Sequence, residues 1–172
     1  MKSSPMLARV TRDVRPGDGE ALAAIWLEHA RYYAALFPDD FRLPSIEGLA
    51  DDLDAGARER HDDRLRLVAE VDGVVAAYLS AHVEPPIEHA EWQMVAELAE
   101  TRLVIDSLGT ADAYQRRGLA TELVEAAEAW GRARGATVAW TDTHAASPVS
   151  VPFWEQRVGY RRREVRLTKR LV

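Results

Sequence analysis

The segment Arg64-Leu65-Arg66-Leu67-Val68-Ala69-Glu70-Val71 carries an apolar residue at every second position, and Asp72-Gly73 follows it directly, ahead of Val74-Val75-Ala76-Ala77-Tyr78-Leu79. Strict alternation marks a strand with one buried face. Asp-Gly suits a type I' turn, in which both central residues take positive φ. A two-residue turn between such runs sets antiparallel pairing and its register, so whatever this chain folds into contains a sheet built on this hairpin.

The remaining elements follow from period and punctuation. Leu7 to Val14 reads as a first strand, broken by Pro16-Gly17-Asp18-Gly19. Between Glu20 and Phe37, Leu22, Ile25, Trp26, His29, Tyr33 and Leu36 recur at helical spacing, with Asp18 placed to cap the first turn. A second helix is expected from Pro44-Ser45 to near Arg60. Pro85 and Pro86 stop the second hairpin arm, Ile87 to Glu100 has no assignable period, and Leu103-Val104-Ile105 restores strand character as far as Leu108. Leu119, Leu123, Val124, Ala127 and Trp130 define a third helix that Gly135 is placed to end. A strand at residues 137–141, a short helix at 148–157 and a final strand region at 160–171 complete the order β-α-α-β-β-β-α-β-α-β. No repeat, low-complexity tract or linker interrupts it, so residues 1–172 read as a single domain.

At 172 residues, 47% hydrophobic and without cysteine, the chain must rely on an apolar core, because disulfides and thiolate zinc sites are both ruled out. Lys+Arg 22 against Asp+Glu 28 leaves a net charge of -6, which argues against broad binding to nucleic acid or anionic membrane. The longest stretch free of Asp, Glu, Lys and Arg, Thr143 to Trp154, is far too short to span a bilayer. The start, MKSSPMLARVTRD, lacks the apolar run of a secretory signal, so a cytoplasmic protein is expected.

The chemistry concentrates where the fourth strand meets the third helix. Gln115-Arg116-Arg117-Gly118-Leu119-Ala120 sets a glycine beside two arginines at a helix start, where backbone N–H groups lack intrahelical partners and the dipole is positive. Such an end attracts phosphate, and Gly118 lets an anion approach the backbone. The segment lacks both the Gly-Lys-Ser/Thr ending of nucleoside-triphosphatases and G-x-G-x-x-G, so neither ATP nor NAD is favoured.

This segment resembles the pyrophosphate loop, Gln/Arg-x-x-Gly-x-Gly/Ala, of the GNAT superfamily of acyl-CoA-dependent N-acetyltransferases. Ile105-Asp106-Ser107-Leu108-Gly109-Thr110 precedes it as that family's fourth strand does, and Phe153-Trp154-Glu155-Gln156-Arg157-Val158-Gly159-Tyr160 is similar to the family's Phe-Tyr-x-x-x-Gly-Phe segment. The resemblance implies an α/β fold with a mixed, mostly antiparallel sheet, splayed between strands four and five and flanked by helices. It implies acetyl-CoA as acyl donor in that opening, its pyrophosphate on Gln115, Arg116, Arg117, Gly118, Leu119 and Ala120 and its pantetheine arm along Leu108 and Thr110. The tyrosine that commonly protonates the leaving thiolate is replaced by Trp154, whose indole releases no proton near neutral pH. Trp154 is therefore expected to pack beside the pantetheine or in the core, leaving Ser147, Ser150, Tyr160 or water to protonate the thiol.

An attacking amine must be neutral, which calls for a nearby base. Glu100 and Asp106 around strand four, and His144 or Asp142 at the end of strand five, are the candidates. Tyr32, Tyr33, Phe37, Asp39, Asp40 and Phe41 stand where the resemblance places one wall of the acceptor site, and aromatic with acidic groups suit a cationic amine. The expected reaction is acetyl transfer to a primary amine by direct attack in a ternary complex, with no metal. The acceptor is a small-molecule amine or a protein amino terminus, with neither nucleic acid nor membrane as partner, and a homodimer stays open as the assembly. The alternative is an acyl-CoA-binding regulatory or interaction module without turnover.

Overall fold

The computed structural model describes residues 8–59, 61–169 and 171. The reading of the N-terminal segment as lacking a signal, the Leu7 start of the first strand and the Arg60 end of the second helix rest on residues outside these. The chain forms two compact units, one up to Trp140 and one from Thr141.

The first unit holds β1 (Arg9–Asp13), α1 (Gly19–Leu36), α2 (Leu49–Gly56), β2 (Arg64–Val71), β3 (Val74–Glu84), β4 (Arg102–Thr110) and α3 (Leu119–Arg132), and runs into β5 (Val138–Thr141). The five strands make one sheet in the order β1-β2-β3-β4-β5, antiparallel throughout except that β5 runs parallel to β4. Asp72 and Gly73 take φ of 51° and 80°, so the hairpin turn is of the type that the sequence demands. Its register, Leu67 opposite Leu79 and Ala69 opposite Ala77, puts the alternating apolar residues on one face.

That face is covered by α3. Leu119, Leu123, Val124 and Ala127 recur every three to four residues and are all buried, against Leu65, Leu67, Leu79, Ala81, Leu103 and Ile105 of the sheet. Each large side chain in this layer stabilises the fold by about 1.5–3 kcal/mol relative to exposure. Gly135 ends α3 as expected, at φ +85°, with Ala136 N–H donating to the Gly131 carbonyl at 3.0 Å.

The opposite face takes α1, whose Leu22, Ala23 and Ile25 are buried. Close seating depends on Gly109: a Cβ there would lie 2.4 Å from Tyr78 Cε1 and 2.8 Å from His29 Cε1. Asp18 precedes α1 but makes no side-chain cap, contrary to expectation. Its carboxylate instead takes Arg12 Nη1 and Nη2 at 2.7 and 2.8 Å and the Arg15 N–H at 2.8 Å, and Arg12 also binds Glu70. A guanidinium fork satisfies both oxygens at once, which one N–H of a helix end cannot do.

Other expectations are corrected in extent. The second helix spans Leu49–Gly56 and not 44–60, because Gly48 sits in the left-handed region at φ 74° and interrupts the run. Residues 87–100 hold two short 3-10 helices, Ala90–Trp92 and Ala96–Ala99. In the second unit a helical turn at Ser150–Pro152 continues as a π-helical turn at Phe153–Arg157. Described residues from Tyr160 onward carry no strand, and Val165, Leu167 and Leu171 are exposed. Alternation makes a strand only where a neighbouring edge takes its hydrogen bonds. Among the described residues no helix is long and apolar enough to cross a membrane.

Two outcomes are expected. Gly109→Ala should lower stability by about 1–3 kcal/mol through overpacking, read from the urea midpoint. Arg12→Leu takes the guanidinium shared by two largely buried carboxylates, leaving only the exposed Arg15 beside them, and should cost about 3–5 kcal/mol. Burial pushes the Asp18 carboxyl up, but the Arg12 and Arg15 hydrogen bonds outweigh it and hold it below 3.8. Its contribution is thus fully present above that unfolded value and lost as pH falls through the lower folded one. Urea midpoints over an acid pH series should show this loss in the parent chain and lack it in Arg12→Leu.

Candidate active site

After β4 a 3-10 turn at Asp112–Tyr114 leads into residues 115–118, and α3 starts at Leu119. Arg116 and Gly118 both adopt left-handed backbone, at φ 63° and 87°. Such residues beside a helix start turn successive N–H groups into a concavity that suits an anion. An ideal Cβ on Gly118 meets only Glu122 Oε1, at 4.0 Å, so the space over this glycine is open.

The side chains of the loop mostly hold its shape. Gln115 Nε2 donates to Asp112 Oδ1 at 2.9 Å. Arg117 Nη2 donates to the Ala113 carbonyl at 2.9 Å, and its guanidinium lies 5.0 Å from the centre of the Tyr114 ring. Both arginines are exposed, and the Arg117 head turns back toward the loop. Arg9 of β1, which the sequence reading missed, clamps the turn by donating to the Arg117 carbonyl at 2.9 Å and pairing with Glu122 at 3.1 Å.

A polar row runs along the α1 side of the sheet. Tyr78, Ser80, His82 and Glu84 alternate on β3 with residues facing α3, and β4 answers with Gly109 opposite Tyr78 and Ser107 opposite Ser80. Ser80 Oγ and Ser107 Oγ are 2.7 Å apart. Burial pushes the Tyr78 hydroxyl up to about 12, although its hydrogen bond with Ser107 opposes this. Burial likewise holds His29 below its ordinary value, against a hydrogen bond to the Thr110 backbone.

The pairing then slips from Ser80–Ser107 to Ala81–Ile105, which leaves Asp106 as the extra residue of a bulge. Asp106 Oδ2 lies 3.0 Å from His82 Nδ1, and Glu84 Oε1 lies 3.2 Å from His82 Nε2. Burial lowers the imidazole, but these two carboxylates outweigh it and raise it above 6.5. Buried Arg102 binds Glu84 at 3.0 Å and donates to the carbonyls of Pro85, Glu97, Leu98 and Glu100. Arg102, and secondly His82, hold Glu84 below the usual carboxylate range. His82 was absent from the sequence candidates, though the alternation of Tyr78, Ser80, His82 and Glu84 was there to find it.

Of the expected bases, Asp106 stands in this network. Glu100 accepts a hydrogen bond from Thr137 Oγ1, and beside it Thr137 N–H donates to the Thr101 carbonyl at 3.0 Å, where β4 and β5 begin. At about 3.3 Å per residue, Glu100 stands about 20 Å along the chain from Asp106. Tyr33, Phe37 and Phe41 form one aromatic cluster, with centroids 5.0–6.3 Å apart, and Tyr32 meets Tyr33 edge-on at 5.4 Å. Asp39 and Asp40 are exposed in the turn between Phe37 and Phe41.

In the second unit, His144 Nδ1 accepts the Ala146 N–H at 3.3 Å, and Asp142 is exposed. Buried Ser147 accepts the Ser150 N–H at 3.1 Å. Trp154 is buried between Phe153 and Tyr160, with centroids at 5.1 and 5.0 Å. Arg162 forks onto Glu155 at 3.0 and 3.2 Å. No group of three or more His, Asp or Glu among the described residues is arranged to hold a metal ion.

Comparison with known proteins follows the same lines. The chain is similar to a mutant form of the BH1408 protein from Bacillus halodurans, with 17% identity and a TM-score of 0.78 over 95% of this chain and 99% of that one. It is similar to a transcriptional regulator from Bacillus halodurans C-125, with 17% identity and a TM-score of 0.67 over 95% and 100%. It is also similar to the aminoglycoside N-acetyltransferase AAC(6')-Iy in complex with CoA, with 18% identity and a TM-score of 0.66 over 98% of both chains. At such identities the likeness is one of fold. No curated protein matches by sequence. The model of the acetyltransferase (GNAT) family matches residues 23–160, most of the chain, and the protein belongs to that family.

Proposed function

We propose that this protein transfers an acetyl group from acetyl-CoA to a small-molecule amine by direct attack in a ternary complex. The observation that carries this reading is the turn at 115–118, with left-handed backbone at Arg116 and Gly118, open space over Gly118 and the start of α3 directly behind it. Backbone N–H groups of residues 116–120 hold the pyrophosphate, and Arg116 adds charge from the rim. From there the pantetheine arm runs back along β4 past Thr110 and Leu108, using backbone groups. AAC(6')-Iy was solved with CoA and with a bisubstrate analogue of CoA and acetylneamine, which favours an amine-bearing small molecule over a protein terminus. A covalent acyl-cysteine route is ruled out because the chain has no cysteine.

The acceptor is a cationic amine. The Tyr33, Phe37 and Phe41 cluster with Asp39 and Asp40 offers both aromatic faces and carboxylates to an ammonium group. Trp154 contributes shape and no proton, since its indole does not titrate near neutrality. That same residue favours a second reading, an acyl-CoA-binding regulator without turnover, as does the likeness to a protein described as a transcriptional regulator.

Thiol release from acetyl-CoA across a library of amines separates the two. The transferase reading expects release with cationic amines, whereas CoA binding with no release for any amine supports the regulator. Gly118→Val should weaken CoA binding about tenfold or more in calorimetry, because a β-branched residue resists φ +87° and its side chain would enter the phosphate space. Replacing Asp39 and Asp40 together by Asn should raise the Michaelis constant for the amine and spare that for acetyl-CoA. The difference should shrink as salt is added, because exposed charges act over about 8 Å at physiological ionic strength.

A further inference from the structure

We propose that His82 takes the proton from the acceptor ammonium, with Asp106 and Glu84 as the carboxylates that orient it. This rests on the acetyl-transfer reading and adds the base that the reading requires. Along β4, the backbone positions assigned to the pantetheine are Thr110 and then Leu108. Asp106 lies two residues beyond Leu108, at the bulge where this alternation breaks, and the thioester end of the arm arrives there. The bulge turns Asp106 out of the ladder, and there it meets His82 of β3 at 3.0 Å. His82 is half-buried, on the sheet face that carries α1, in line with Ser80 and Tyr78.

The charges around the ring define how it works. Asp106 faces Nδ1 from β4, Glu84 faces Nε2 from β3, Arg64 of β2 is the cross-strand neighbour of His82, and Arg102 holds the second oxygen of Glu84. With a carboxylate on each ring nitrogen, this geometry is that of the imidazolium, because a neutral ring can donate only one hydrogen bond. In the neutral ring, Asp106 keeps Nδ1–H and the lone pair of Nε2 faces Glu84, which Arg102 prevents from swinging away. An ammonium group that approaches this lone pair from beside Glu84 is attracted by the ring nitrogen and the carboxylate together.

The proton balance closes. One ammonium proton moves to Nε2 and leaves a neutral amine. The amine nitrogen forms a bond to the acetyl carbon as the carbon–sulfur bond breaks, and the second proton lost by nitrogen goes to the departing thiolate. The products are an amide, a thiol and an imidazolium, which returns its proton to solvent. The carboxylates that raise the imidazole also bring its proton affinity closer to that of an alkylamine, which makes the transfer less uphill.

The test is the pH profile of kcat/KM for the amine. Activity needs neutral His82, so the rate should rise with pH through a midpoint above 6.5, and this limb should not move when one amine is exchanged for another. Asp106→Asn should shift the limb to lower pH, since it removes a group that raises the imidazole. His82→Gln should lower kcat by about 10²- to 10⁴-fold, abolish the limb and keep acetyl-CoA affinity, and added imidazole should restore part of the rate. Should His82→Gln fold poorly, NMR titration of the His82 ring in the parent chain and in Asp106→Asn gives the same midpoints independently. If kcat and the limb survive in His82→Gln, or if the limb does not follow the ring midpoint, His82 is not the base while acetyl transfer stands. If no amine releases thiol from the parent chain although CoA binds, the acetyl-transfer reading fails first and the base role with it.

Discussion

Everything in the first unit hangs on β3 having two chemically different faces. Ala77, Leu79 and Ala81 point to α3 and are almost fully buried, whereas Tyr78, Ser80, His82 and Glu84 point to the side of α1. The apolar face must pack, and its packing fixes the register of β2 and β4 on either side, because a slip of one residue would exchange the faces. Once that register is set, Ser107 has to meet Ser80 and Gly109 has to meet Tyr78. The polar row of the candidate active site is thus a by-product of core formation.

Electrostatics then tie the ends of this frame. On one side Arg12 joins β1, the start of α1 and β2 through Asp18 and Glu70. On the other, Arg102 gathers four carbonyls of residues 85–100 and the Glu84 carboxylate, and its guanidinium lies 5.2 Å from the centre of the Trp140 ring. A buried guanidinium is tolerated when most of its donors find acceptors, and the excursion between β3 and β4 supplies them for Nη1 and, with Glu84, for Nη2, while Nε has no partner among the described residues. Glu84 links this support to His82, so the geometry of the imidazole depends on a residue whose role is structural. The turn at 115–118 has its own support in Arg9, which reaches from β1 to the start of α3.

How legible this was in the sequence depended on distance along the chain. The hairpin, the stripe of α3, its end at Gly135 and the Gln115–Ala120 turn were readable because their signals lie within a few residues. His82 went unnoticed because its partner Asp106 is 24 residues away and meets it only through the β3–β4 register and a bulge. The Arg9 clamp spans 108 residues and carries no local signal at all. Asp18 had the right chemistry for a cap but a stronger partner in Arg12, a competition that propensity does not reveal. Alternation at Val165, Leu167, Lys169 and Leu171 suggested a strand, yet hydrogen bonding across to a neighbour decides strand formation and period alone does not.

A crystal structure of the complex with CoA tests the central claim most directly, since it locates the acyl donor without relying on turnover. The expected result is the pyrophosphate on the backbone N–H groups of residues 116–120, with the pantetheine along Thr110 and Leu108 and the thiol next to Asp106. A pyrophosphate bound elsewhere, or a thiol directed away from the bulge, would contradict the account.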